Sequence, residues 1–148
     1  MRKMVFGRKL SRGRKGRTAL FRSLVRALVL SGKITTTKAR AKAIQGQLDK
    51  YVTHAKKGGV ALRRKVLAEM GNDRGTVDKL FGKIAPTFIR RKSGFTRITL
   101  LPRRKGDNAE MAILEWVDKV ANKQSLPLRG SEKVIAKTKK STTKQLSD

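Results

Sequence analysis

The chain has 148 residues and no cysteine, and its 38 Lys and Arg against 10 Asp and Glu give a formal net charge of +28 and a pI near 11.7. Such a length supports one modest core, roughly 68–70% of the unfolded surface being buried on folding. Disulfides and thiolate metal sites are excluded, no apolar run approaches the roughly 20 residues that cross a bilayer, the N-terminus lacks a secretory signal, and the charge requires a polyanion as partner.

Residues 1–17 read as a basic arm. Eight of these seventeen residues are Lys or Arg and none is acidic, with Gly7, Gly13 and Gly16 interrupting them. Such a segment has too little apolar surface to offset the entropy of ordering it alone, so a partner must order it. An Arg-rich, acid-free start also fits an organellar transit peptide. Fourteen cations precede the first acidic residue, Asp49, which places half of the net charge in the first third of the chain.

Residues 18–121 carry the pattern of a folded domain. Leu20, Phe21, Leu24, Val25 and Leu28 share one helical face, so a helix is predicted from Thr18 to Ser31 with Thr18 as N-cap and Gly32 as C-cap. Arg22 and Arg26 lie on its other side as a like-charge pair, read as phosphate contacts. A short strand, Lys33 to Thr37, should run straight into a helix from Lys38 to Lys57 that buries Ala41, Ile44, Leu48, Tyr51, Val52 and Ala55. Gly46 in its middle costs about 1 kcal/mol against Ala, which predicts that something passes close there. A helix from Val60 to Met70 follows, then one from Thr76 to Ala85 stopped by Pro86.

Beyond a basic loop at Arg90-Arg91-Lys92 the period changes to two. Phe95 to Leu101 and Met111 to Val117 are predicted strands joined by the turn-forming Pro102 to Asn108, with Arg97 opposite Glu115. The expected class is α+β: helices packed on a small three-stranded sheet, with an extended basic arm before it. Residues 122–148, rich in Lys, Ser and Thr, read as a flexible basic tail.

Catalytic patterns are sparse. His54 is the sole histidine, and Asp73 with Asp78 and Asp107 with Glu110 are the close carboxylate pairs; a metal-dependent RNA-processing enzyme would need the latter pair to act together. Gly13-Arg14-Lys15-Gly16-Arg17-Thr18 lacks the spacing of a phosphate-cradling loop. With one Trp, one Tyr and five Phe, most needed in the core, base stacking cannot be the main binding mode. Backbone recognition by Lys and Arg remains, which fits a structural RNA-binding protein and also a histone-like nucleic-acid chaperone.

The order of several fragments narrows this. Gly7-Arg8-Lys9-Leu10-Ser11-Arg12, Ala19-Leu20-Phe21-Arg22-Ser23-Leu24, Ile34 to Lys42, Gly94-Phe95-Thr96-Arg97-Ile98 and Arg104 to Ala112 resemble, in sequence order, the family of the seventeenth protein of the bacterial large ribosomal subunit. The resemblance implies an α+β fold, binding to large-subunit ribosomal RNA beside neighbouring ribosomal proteins, a place near the polypeptide exit, and cytoplasmic rather than organellar ribosomes. It also implies that the arm belongs to the mature protein, with no cofactor, no membrane and no self-association. Gly13-Arg14-Lys15-Gly16 departs from the family's Thr/Ser-rich segment, so no contact is carried over there, and the tail after Val120 inherits no role.

The expected RNA contacts are Arg2, Lys3, Arg8, Lys9, Arg12, Arg14, Lys15 and Arg17 in the arm, with Arg22, Arg26, Lys38, Arg40 and Lys42 extending that patch. Arg90, Arg91, Arg103, Arg104 and Lys105 should form a second patch, and Arg97 lies on the strand between them.

Overall fold

A computed structural model describes residues 8–118; Arg2, Lys3 and the predicted tail at 122–148 lie outside them. The elements are α1 (Arg14–Ser31), β1 (Lys33–Thr37), α2 (Lys38–Lys57), α3 (Val60–Glu69), α4 (Arg74–Lys79), a wide π turn (Leu80–Ile84), α5 (Ala85–Thr87), β2 (Thr96–Leu100) and β3 (Met111–Trp116). The class is α+β, as predicted.

The sheet is antiparallel throughout in the order β1-β3-β2. Alternation assigns its faces. Ile34, Leu114 and Ile98 stand in one register row on the inner face, as do Thr36, Ala112 and Leu100, though Leu100 at the strand's end is 61% exposed. The inner face packs on α2, whose Ala41, Ile44, Leu48, Tyr51, Val52 and Ala55 are all buried, the six residues its periodicity selects. Two polar contacts fix α2 on the sheet: Gln45 donates to the Thr96 carbonyl at 3.5 Å, and Asp49 Oδ1 accepts from the Phe95 N–H at 3.3 Å. On the outer face Lys33, Glu115 and Arg97 occupy one row, so the expected opposition of Arg97 and Glu115 is present.

Several local expectations change. Helix α1 begins at Arg14 rather than after Thr18. Lys and Arg are good helix formers, so the helix runs one turn beyond its apolar face. Thr18 consequently lies inside it, its hydroxyl donating to the Arg14 carbonyl at 3.1 Å. The far end is as predicted, with left-handed Gly32 (φ 81°) donating its N–H to the Leu28 carbonyl at 2.8 Å.

Pro86 does not stop its helix at Ala85. The π turn precedes it, with Ala85 N–H bonding to the Leu80 carbonyl, and the chain stays helical to Thr87. A proline ring collides with the carbonyl four residues earlier in a regular helix, and a widened turn relieves that collision. The extra turn carries Phe88 into the core beyond the predicted boundary, where its ring lies 5.3 Å from Phe95 and 5.7 Å from Trp116. At Gly46 no atom of the described residues outside the helix's own neighbouring backbone comes within 4 Å of where a Cβ would stand, so the expected close approach is not made by the described residues.

Candidate nucleic-acid interface

With so few carboxylates, the partner of each one determines which cations are left for another molecule. Among the described residues five carboxylates form ion pairs: Asp73 with Arg26, Glu110 with Lys38, Asp78 with Arg63, Asp118 with Arg91, and Asp107 with Arg104. A cation so engaged would have to exchange one partner for another to reach a phosphate.

Arg22 and Arg26, predicted to face phosphates, also secure the connection between α3 and α4. Arg22 Nε donates at 2.7 Å to the Glu69 carbonyl, which the end of α3 leaves open, and Nη2 at 3.4 Å to that of Ala68, which also accepts from the Gly71 N–H at 3.2 Å. Gly71 beside it is left-handed (φ 72°), and a Cβ there would come within 3.1 Å of the Arg22 guanidinium. One turn along α1, Arg26 Nε meets Asp73 Oδ2 at 3.0 Å. Asp73 is the N-cap of α4, accepting from the Thr76 N–H at 3.2 Å and the Thr76 hydroxyl at 2.7 Å. Those hydrogen bonds from Thr76 hold its carboxyl below the ordinary range, and Arg26 adds to the effect.

The basic arm is shaped before it reaches the helix. Lys9 to Arg12 close a turn, with left-handed Leu10 and Ser11 (φ 51° and 50°), the Arg12 N–H on the Lys9 carbonyl at 3.1 Å, and Arg12 Nη1 on the Leu10 carbonyl at 3.1 Å. Arg14, Lys15 and Arg17 then form the first turn of α1, pointing about 100° apart per residue. That turn holds no acidic residue and Gly13 offers no side-chain cap, so cations surround the positive end of the helix dipole. The arrangement is unfavourable by itself and favourable around an anion.

The remaining predicted cations fall into a different grouping from the one expected. Lys38 Nζ lies 3.0 Å from Glu110 Oε2. The Glu110 carboxyl is held down by the hydrogen bond and charge of Lys38, with Arg103 and Lys42 contributing, so Lys38 and Lys42 sit with the β2–β3 loop. In that loop Arg104 grips Asp107 with two nitrogens, Nε at 3.0 Å from Oδ1, and the bond lowers the Asp107 carboxyl to about 2. Arg103 and Lys105 are exposed beside it, while Arg40 is half-buried. The Arg90–Lys92 loop lies at the other end of α2: Lys56 donates to the Arg91 carbonyl, and Arg91 Nη2 reaches Asp118 Oδ1 at 3.2 Å. From Lys38 to Lys56 the helix rises roughly 27 Å at 1.5 Å per residue, so the predicted second patch is two separate ones. Exposed Arg97, flanked in its register row by Glu115 and then Lys33, faces outward from the sheet. Lys33, Lys50 and Lys57 are exposed cations outside the predicted set. Their helix and strand periods would have assigned them outward positions.

Asp107 and Glu110 are each held by a cation of their own. His54, half-buried in the last turn of α2, has an enclosed Nδ1 without a hydrogen-bond partner among the described residues.

Comparison with known proteins agrees with this chemistry. The family model described as ribosomal protein L17 matches residues 20–117. The chain is 43% identical over 119 residues to large ribosomal subunit protein bL17 of Hydrogenobaculum sp. (strain Y04AAS1), covering 80% of this chain and 100% of that protein. It is 40% identical over 129 residues to the protein of the same name from Rhodopseudomonas palustris (strain BisB18), covering 87% of this chain and 95% of that one.

Proposed function

From the premise that the chain belongs to the ribosomal protein L17 family of the large ribosomal subunit, we propose that it is a structural constituent that binds ribosomal RNA near the polypeptide exit and has no catalytic role. The observation that carries the RNA contact is the division of its cations. Carboxylates and backbone carbonyls hold Arg22, Arg26, Arg91 and Arg104 within the fold. Arg8, Lys9, Arg14, Lys15, Arg17, Arg97, Arg103 and Lys105 make no ion pair among the described residues. They sit on the arm, the sheet face and the hairpin loop, so they can meet phosphates from several directions, as a folded RNA presents them. Neighbouring ribosomal proteins would meet the same subunit surface.

If about eight phosphates are neutralised, log affinity for large-subunit RNA falls against log salt with a slope of roughly −6 to −7. Removal of residues 1–12, which leaves α1 whole, should abolish stable incorporation into large subunits on a sucrose gradient. Normal incorporation of that truncation, or equal affinity for duplex DNA with no cosedimentation, refutes the proposal. RNA crosslinks mapping away from the polypeptide exit refute the placement.

A further inference from the structure

Helix α2 turns its core residues to one side and leaves an outward ridge on the other. On that ridge Lys42, Gly46, Lys50 and Lys57 are exposed. The helix's one carboxylate, Asp49, is engaged with the Phe95 N–H rather than with this face. Gly46 stands between Lys42 and Lys50, one turn and about 6 Å of rise from each.

A glycine in a helix interior weakens the helix, so its presence needs a reason. Backbone conformation supplies none, because Gly46 has ordinary helical geometry. Internal packing supplies none either: nothing in the described residues outside the helix's own neighbouring backbone lies within 4 Å of a Cβ built there. An approach from beyond the described residues remains. The sign of the ridge selects the visitor, since lysines flank the gap and neither makes an ion pair among the described residues.

We propose that a sugar-phosphate strand of the ribosomal RNA lies across α2 at Gly46, close against the helix backbone, with Lys42 and Lys50 on phosphates to either side. A side chain at position 46 would hold the strand off the helix and draw both ammonium groups out of reach. Phosphate is favoured over a protein carboxylate because two like charges one turn either side of a bare backbone match a repeating anionic chain. This contact rests on the RNA-binding function proposed above and adds a seat distinct from the arm.

The test uses the full chain, a large-subunit ribosomal RNA transcript, filter binding at fixed salt and thermal melting. Gly46→Ala and Gly46→Leu should melt at or above the wild-type temperature, since both residues favour helix and meet open space. Gly46→Leu should nevertheless lose about tenfold or more in affinity, equivalent to about 1.4 kcal/mol, with Gly46→Ala between it and the wild type. Replacing Lys42 and Lys50 together by Gln should make the salt slope shallower by roughly 1.5. Wild-type affinity for Gly46→Leu overturns the inference while leaving the RNA-binding function intact. A variant that binds RNA normally but is lost from assembled subunits assigns the ridge to a protein neighbour and also overturns it. Failure of the wild-type chain to bind the transcript removes both.

Discussion

Asp73→Ala isolates how the fold uses its few carboxylates. The substitution removes the α4 N-cap, whose bond to the Thr76 N–H at 3.2 Å is worth about 1 kcal/mol. It also strips the acceptor from the Thr76 hydroxyl, bonded at 2.7 Å on a residue only 2% exposed, at a cost of about 1–2 kcal/mol. The ion pair with Arg26 adds at most about 0.5 kcal/mol, because the Arg26 side chain is 62% exposed and screened. The expected loss is about 2–3 kcal/mol in urea denaturation with an unchanged m-value, a fall in Tm of roughly 8–12 °C. Asp73→Asn keeps the acceptor of the Thr76 N–H but puts an amide nitrogen where Oδ2 accepted the Thr76 hydroxyl, so it should lose about 1–2 kcal/mol, whereas Arg26→Gln should lose only about 0.5 kcal/mol. Because the folded carboxyl is depressed, the ionised cap contributes fully above the ordinary carboxylate pKa and its contribution fades as pH falls below it. If Arg26→Gln were as damaging as Asp73→Ala, the charge pair rather than the cap would hold this corner, and the reasoning would be wrong.

Three further outcomes are expected. Arg22→Gln should destabilise the fold by about 1–2 kcal/mol through the carbonyl it leaves open at the end of α3, whereas Arg97→Gln and Arg103→Gln should leave Tm unchanged and each make the RNA-binding salt slope shallower by roughly 0.7–0.9; equal effects of all three on stability would contradict the division of cations. A carbon-detected NMR titration of Asp107 should give a midpoint at about 2, set chiefly by the Arg104 hydrogen bond. The contribution of that pair is therefore present above about 4 and lost between about 4 and 2, and Arg104→Ala should return the midpoint towards 3.9. Tyr51, the chain's one tyrosine, is raised to about 12 by burial; its neutral form is favoured in the fold, so stability declines as pH rises from about 10 to 12, and phenolate absorbance should appear together with unfolding. Ionisation at the ordinary tyrosine pKa with the fold intact would show the ring to be accessible.

The helix cores and the strands were legible because their signal is periodic. Six inward positions of α2 and the alternation of Ala112, Leu114 and Trp116 follow from spacing alone. The start of α1 was less legible, because Arg14 to Arg17 carry no apolar face and are helical by propensity and continuity. Phe88 was hidden by Pro86, which reads as a stop wherever a π turn has not first opened the helix. At the interface the identity of the basic residues was legible, but their grouping was not. Lys38 and Arg103 are far apart in sequence, and only the sheet register that brings Lys38 to the Glu110 carbonyl places them around one carboxylate.

That grouping gives the scarcity of acids a purpose. A surface on which every cation had a carboxylate neighbour would fold well and bind RNA weakly, since each contact would first have to break an ion pair. A surface with none would repel itself at each close approach of two elements. Here carboxylates stand where basic segments must meet: Asp73 where α1 reaches α4, Glu110 where α2 starts beside the hairpin loop, and Asp118 where the Arg90–Lys92 loop closes on the end of the sheet. Between those junctions the cations of the arm and of the α2 ridge make no ion pair among the described residues. The internal ion pairs thus fix the spacing of the charged surfaces, and the charge left over faces the partner that the net +28 requires.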